Sequence, residues 1–351
     1  MKEKKTVLNE KSRFYRMITE ICAEEGISLE SAAYGWAFRM RKGERSGFLY
    51  GYRFGLNSAA AADICNSKST ASELLLGSGI PAVPHFGFLP PATARFAGQD
   101  GSLTELEELR RRYGILILKN DTGTGGTEVF PVVTEEELSQ AAEKLFSAGK
   151  TIAASPYVSI AREIRVVILD GEAKLMFSKQ RESVTGDGHS TLEELIFEQV
   201  VKNQTDPKTE KEKYADTKEK KLPAGPFTDA EFHEWELTEV PPEGTVVYLN
   251  WKHNLGQGAV PEVLEREKDP GEWDALEALA VRAAKALGIR FASVDVIEEE
   301  AAGDKKVLEV NCGVMLEHFS GCSGEYYQRA KEIYREAVKK SLENSFVISE
   351  G

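Results

Sequence analysis

A chain of 351 residues, 41% of them hydrophobic, can bury a substantial core and is long enough for two or three compact lobes in one folded unit. A formal charge of −13 and a pI near 5.1 exclude general binding to nucleic acid or anionic membranes, which need a basic face, but allow a small anion in a local basic pocket. No window approaches the roughly eighteen uninterrupted apolar residues of a membrane span, MKEKKTVLNEK has no apolar run after its lysines, and Cys22, Cys65, Cys312 and Cys322 lack CxxC or framework spacing, so a cytoplasmic chain with reduced thiols is expected.

Phe14, Met17, Ile18, Ile21 and Cys22 recur at helical spacing and stop at Gly26, predicting an opening amphipathic helix. A second helix starts near Lys68 and stops before GSGIP. The aliphatic run ILIL (115–118) predicts a strand with Lys119 at its end, followed by KNDTGTGGTEVF and a second strand in TEVFPVV. In TEEELSQAAEKLFSAG, Thr134 and Glu137 form a capping box, Leu138, Ala141, Ala142 and Leu145 make the buried stripe, and Gly149 closes the helix. REIRVVILDGEAKLMF predicts a hairpin turning at Asp170-Gly171. Later strands are VVYLN (246–250), FASVDVI (291–297) and KVLEVN (306–311), with helices over about 272–287 and 325–343. The fold class is α/β (α+β) with much antiparallel pairing and no internal repeat. The polar, lysine-rich stretch at 202–232 is expected to be a mobile excursion or a solvated loop.

The glycine loop fits neither of two common phosphate cradles. A Walker loop carries its lysine after the last glycine and opens a helix, whereas Lys119 precedes the glycines and a strand follows. A dinucleotide fingerprint also opens a helix, which GTGG followed by TEVF does not. What remains is strand, glycine loop, strand: either a ligand-free hairpin turn, or a loop whose N–H groups face phosphate oxygens while the lysine supplies charge. In VLEVN, Glu309 and Asn311 are two apart and share one face of a strand; Asp295 lies in a second apolar strand, SVDVI. Such carboxylates cost several kcal/mol if unpaired, so each should face a cation or basic partner, and oxygen donors suit magnesium.

These motifs resemble the ATP-grasp ligases, most closely the branch containing cyanophycin synthetase and bifunctional glutathione synthetase. The resemblance extends from about Ala62 to Tyr334 through NSKSTASELLLGSGIPAVP, KNDTGTGGTEV, the REIRVVILDG segment with its VTGDG turn, NLGQGA, SVDVI and LEVN. It implies an ATP-grasp fold of two α+β subdomains clasping ATP, with a lid subdomain over 62–155 and a metal- and substrate-binding subdomain over 156–345; residues 1–61 do not match the larger amino-terminal domains of those enzymes, and this short N-terminal region is a candidate acceptor-side lobe. Lys68 and Lys119 then grip the nucleotide phosphates under a loop containing Gly123, Gly125 and Gly126, and Lys179 is a further phosphate-facing cation. Glu163 matches the ribose-binding carboxylate, and Pro156, Tyr157 and Val158 the adenine hinge. Asp295, Glu309 and Asn311 correspond to ligands of magnesium or manganese. Arg165, Arg181, Lys252 and Asn254 match positions near the phosphates or the carboxylate substrate.

Departures from the family pattern are Ser155 in place of a hinge glutamate, and CGVMLEHF after Asn311 with Glu317 where a basic residue is frequent. Cys312 is expected to pack rather than act as a nucleophile, and His253 and His318 to be ordinary hydrogen-bonded histidines. The implied activity converts a carboxylate to an acyl phosphate with ATP and joins it to an amine, with amino acids or a short peptide as substrates. A phosphotransferase on the same scaffold and a non-catalytic nucleotide-binding protein are the alternatives. The resemblance is compatible with a homodimer, and no second ligase module follows, so a stand-alone ligase is expected. In GYRFGLN the aromatics are expected to pack, with a contribution to the acceptor site as the alternative.

Overall fold

The computed structural model describes residues 12–98, 103–202, 227–229, 232–300 and 302–344. Helix α1 (Arg13–Glu24) is capped by Ser12, and its Phe14, Met17, Ile18, Ile21 and Cys22 are the buried face that the spacing predicts. Its first N–H groups are also satisfied by a distant acid: Glu317 accepts from Arg13 N at 2.8 Å and Phe14 N at 2.9 Å, placing negative charge at the positive end of the helix. Strands β1 (Ser28–Ala32), β2 (Ala37–Lys42) and β3 (Arg45–Tyr50) form a separate antiparallel sheet in that order.

Helix α2 (Ala59–Asn66) precedes the expected lysine-bearing helix α3 (Lys68–Gly77). Ser67 breaks them apart with extended backbone, and its Oγ caps α3 by accepting from Thr70 N. The alanine-rich sequence of α2 has too little polar contrast to announce it. Strand β4 (Phe86–Phe88), helices α4 (Pro91–Ala94) and α5 (Leu103–Tyr113), strands β5 (Leu116–Asn120) and β6 (Val129–Val132), helix α6 (Glu135–Ser147) and strand β7 (Ile152–Pro156) follow. Their antiparallel sheet has the order β4-β7-β5-β6 and packs on Leu106, Leu138, Ala142 and Leu145. The Thr134–Glu137 capping box of α6 is present in full.

The hairpin of β8 (Ile160–Leu169) and β9 (Glu172–Gln180) turns at Asp170 and Gly171, whose φ angles of 52° and 84° are the positive pair a two-residue turn needs. The chain divides into two compact units, Met1–Ser178 with Pro261–Gly351, and Lys179–Val260. In the latter, β10 (Ser183–Thr185), α7 (Leu192–Lys202), β11 (Phe227–Thr228), β12 (Glu234–Trp235) and β13 (Val246–Tyr248) surround a small core of Val184, Leu192, Ile196, Phe227 and Val247. Most of the 202–232 excursion lies outside the described residues.

Strand β14 (Val260–Val263), helix α8 (Pro270–Ala286), strands β15 (Phe291–Glu299) and β16 (Lys305–Asn311) and helix α9 (Gly324–Glu343) complete the chain. The central sheet has the order β14-β9-β8-β15-β16. One face carries Ile164, Val166, Val294, Val296, Val307 and Val310 into a core shared with α2, α3 and α8. Val307 and Val310 are three apart, which strict alternation would send to opposite faces. A bulge resolves this: Val296 pairs with Val307 and Asp295 with Glu309, so Leu308 is extra and the parity shifts by one.

Candidate functional site

The bulge that turns two valines inward leaves Glu309 and Asn311 together on the other face. There the register places Arg165, Asp295 and Glu309 side by side across β8, β15 and β16. Asp295 is 4% exposed and is met by a two-pronged guanidinium, with Arg165 Nε 2.8 Å from Oδ1 and Nη2 2.7 Å from Oδ2. Burial opposes the arginine's charge, but Asp295, then Glu163 and Glu309, outweigh it and hold its pKa above the ordinary value. The expectation that Asp295 needs a basic partner is met by Arg165. The side chains of Glu309 and Asn311 are half-buried and make no hydrogen bond or ion pair among the described residues. Their uncommitted oxygens, beside a carboxylate already balanced by arginine, fit the all-oxygen donor set of a magnesium ion. No group of three or more His, Cys, Asp or Glu placed for a metal occurs among the described residues, so this candidate set depends on the amide.

Two lysines approach this row. Lys119, at the end of β5, is 9% exposed; burial pushes its pKa down to about 8 against the pull of Glu309, with Lys68 lowering it further and Glu163 and Asp121 raising it. Lys68 opens α3 and donates from Nζ to the carbonyls of Gly123 at 2.6 Å and Asp121 at 3.3 Å. Asp121, which no motif singles out, fastens the loop to α3: its carbonyl accepts from Lys68 N and its carboxylate from Ser69 N. The glycine loop is closed at its base, where Asn120 Nδ2 donates to Glu128 and Asn120 N to the Glu128 carbonyl. Gly125 and Gly126 have φ angles of 72° and 70°, the left-handed conformation that favours glycine. A Cβ on Gly123 would come within 3.0 Å of Asn120, so a tight turn sets its size.

His85 was also missed by the sequence. It is buried just before β4, with Nδ1 2.9 Å from the Val83 carbonyl. Burial, then the charges of Lys119 and Lys68, keep it neutral, so Nδ1–H is the donor and Nε2 is a buried acceptor without a protein partner. Glu163 is buried, and its charge acts on both Lys119 and Arg165. Pro156, Tyr157 and Val158 continue β7 as a half-buried segment held by Tyr157 N donating to Ile115 O. Ser155 is buried opposite Ile117. Cys312 is buried and its thiol contacts the Ala62 carbonyl; burial raises its pKa, which suits packing and not nucleophilic attack.

In the second unit, Lys179, Arg181, Lys252 and Asn254 gather on their own. Arg181 lies 3.7 Å over the Tyr248 ring and donates to the Trp251 carbonyl, and Lys252 Nζ lies over the Trp251 ring. His253 Nδ1 is 3.0 Å from the Lys179 carbonyl, and burial, then the charge of Arg181, pushes its pKa down to about 4. Asn254 has a structural task, its Oδ1 accepting from Gly256 N in a short helical turn. Glu317, one of the departures from the family pattern, is engaged with the start of α1.

No protein-family profile matches the chain. Among curated proteins it is 26% identical over 256 residues to cyanophycin synthetase of Trichormus variabilis, an overlap covering 73% of this chain and 26% of that protein. It is 24% identical over 213 residues to the bifunctional glutathione biosynthesis protein of Streptococcus mutans, covering 60% and 27% respectively. The chain thus spans about a quarter of the length of these relatives. Among solved structures, D-alanine–D-alanine ligase from Bacillus anthracis overlaps 82% of this chain and 72% of its own at 16% identity, with a TM-score of 0.48. No helix among the described residues is long and apolar enough to cross a membrane. Over the part they share, this chain is a homologue of cyanophycin synthetase and of bifunctional glutathione synthetase.

Proposed function

We propose that the chain is an ATP-grasp ligase that activates a carboxylate as an acyl phosphate and joins it to an amine, with an amino acid or short peptide as substrate. The observation that carries this reading is the meeting of Lys68, Lys119 and Glu163 with the uncommitted oxygens of Glu309 and Asn311 on one face of the first unit. The homology to two biosynthetic enzymes supports it. Glu309 and Asn311, with Asp295 beside them, would hold magnesium, which supplies charge neutralisation for the phosphates.

The chemistry asks for positioning and charge balance more than for a protein nucleophile. A substrate carboxylate oxygen attacks the γ-phosphorus of ATP and ADP departs. The amine nitrogen then attacks the acyl carbon, phosphate leaves with the bonding pair, and the nitrogen gives up a proton. Lys119 and Lys68 offset the phosphate charge, and Arg165 balances the charge of Asp295. The glycine loop, tethered through Gly123 to Lys68, would exclude water from the acyl phosphate.

Incubation with ATP, magnesium and a panel of amino acids and dipeptides tests the reading. Equal release of ADP and phosphate, with a product equal to the two substrates minus one water, is the expected result. ADP with a product that gains a phosphoryl group identifies a phosphotransferase and refutes it; nucleotide binding with no turnover across the panel also counts against it.

A further inference from the structure

Arg53 lies in GYRFGLN, which the proposed reaction leaves unused. Its backbone is fixed. Tyr50 and Arg53 exchange N–H to carbonyl bonds of 3.1 Å across a two-residue turn, in which Gly51 has φ 55° and a Cβ there would come 2.7 Å from the Trp36 ring, so both backbone and space favour glycine. The next residue, Phe54, is buried, stacked on Tyr334 at 5.4 Å between ring centroids and set edge-on to Phe291.

The guanidinium emerges from this anchor toward the end of α2, just before the helix that Lys68 opens, and toward the end of β16, which carries Glu309 and Asn311. Arg53 Nη2 donates to Asn66 Oδ1 at 3.0 Å, and the Cys312 thiol lies 3.9 Å from that same oxygen. Asn66 ends α2, two residues before Lys68, and Cys312 follows Asn311 at the end of β16. Arg53 is exposed and makes no ion pair among the described residues; Asp63, one turn earlier in α2, is not paired with it. It therefore offers a guanidinium fork, anchored by a neutral amide and the Cys312 thiol, at the end of the strand that carries the candidate metal ligands. Such a fork matches a carboxylate in two parallel hydrogen bonds, which a lysine's point charge cannot reproduce.

Resting on the ligase reading, we propose that Arg53 binds the substrate carboxylate at the end of β16, so that the N-terminal region forms part of the substrate site. The test uses the full chain with ATP, magnesium and hydroxylamine, which traps an acyl phosphate as a hydroxamate, over the same panel of amino acids and dipeptides. For each carboxylate that the unaltered chain converts, Arg53→Gln should raise its KM about thirtyfold while the KM for ATP stays within about twofold, as expected for a lost charged hydrogen bond. Arg53→Lys should fall between the two and, keeping the long side chain, provides the measurement if Arg53→Gln folds poorly. A carboxylate KM within about twofold of the unaltered chain in both variants, or an equal rise in the KM for ATP, overturns the proposal and leaves the ligase reading intact. No hydroxamate from the unaltered chain with any carboxylate overturns the ligase reading, and this assignment with it.

Discussion

The two faces of the central sheet come from the same strands and have opposite tasks. Val294 and Val296 turn toward α2, α3 and α8, while Asp295 between them turns away and meets Arg165. On β16 the same division separates Val307 and Val310 from Glu309 and Asn311. The apolar face contributes stability by removing hydrocarbon from water. The polar face offsets the cost of buried charge with an ion pair and leaves two oxygen-bearing side chains uncommitted, so the candidate site lies where stability is least favoured. Within the polar face a second contrast appears, since Asp295 is fully engaged and Glu309 is not.

The strongest way to break this comparison is Asp295→Asn. It leaves the buried Arg165 guanidinium without its counter-charge, and a loss of about 3–5 kcal/mol in unfolding free energy is expected, read by chemical denaturation. A stability unchanged within error would show that the pair is structurally dispensable. On the apolar face, Val296→Ala removes two methyl groups from a fully buried site and should cost about 1–3 kcal/mol while leaving the KM for ATP unaltered. Glu309→Gln is the reverse experiment. Turnover should fall at least about tenfold, equivalent to about 1.4 kcal/mol, with Tm nearly unchanged because no ion pair is broken. Unchanged kinetics at saturating magnesium would remove Glu309 from the metal site.

The smallest expected effect concerns pH. Lys119 has its pKa lowered to about 8, so its ammonium is present below that value and is lost as pH rises through it. ADP affinity should then weaken severalfold between about pH 7 and pH 9. Lys119→Arg, charged throughout that range, should flatten the alkaline limb in a calorimetric titration. An identical limb in the arginine variant would assign the titration to another group.

Local periodicity and punctuation made much of the fold legible. The stripe of α1, the capping box at Thr134 and Glu137 and the Asp170-Gly171 turn depend on neighbours within a few residues, and each forms as the sequence predicts. The pairing of Glu309 with Asn311 on one face was legible for the same reason, because a strand alternates. The bulge at Leu308, which reconciles Val307 with Val310, was not, since it exists only relative to β15.

The sequence by itself determined which residue types could hold an anion and a divalent cation, because charge, oxygen donors and glycine conformation are properties of single residues and short runs. Tertiary structure decided what each became. It paired Asp295 with Arg165 across 130 positions, engaged Glu317 with the start of α1 across more than three hundred, buried Lys119 until its ammonium became easier to deprotonate, and brought Arg53 to Asn66 beside Cys312. These outcomes follow from desolvation and from contacts between distant segments, and neither has a signature in local spacing.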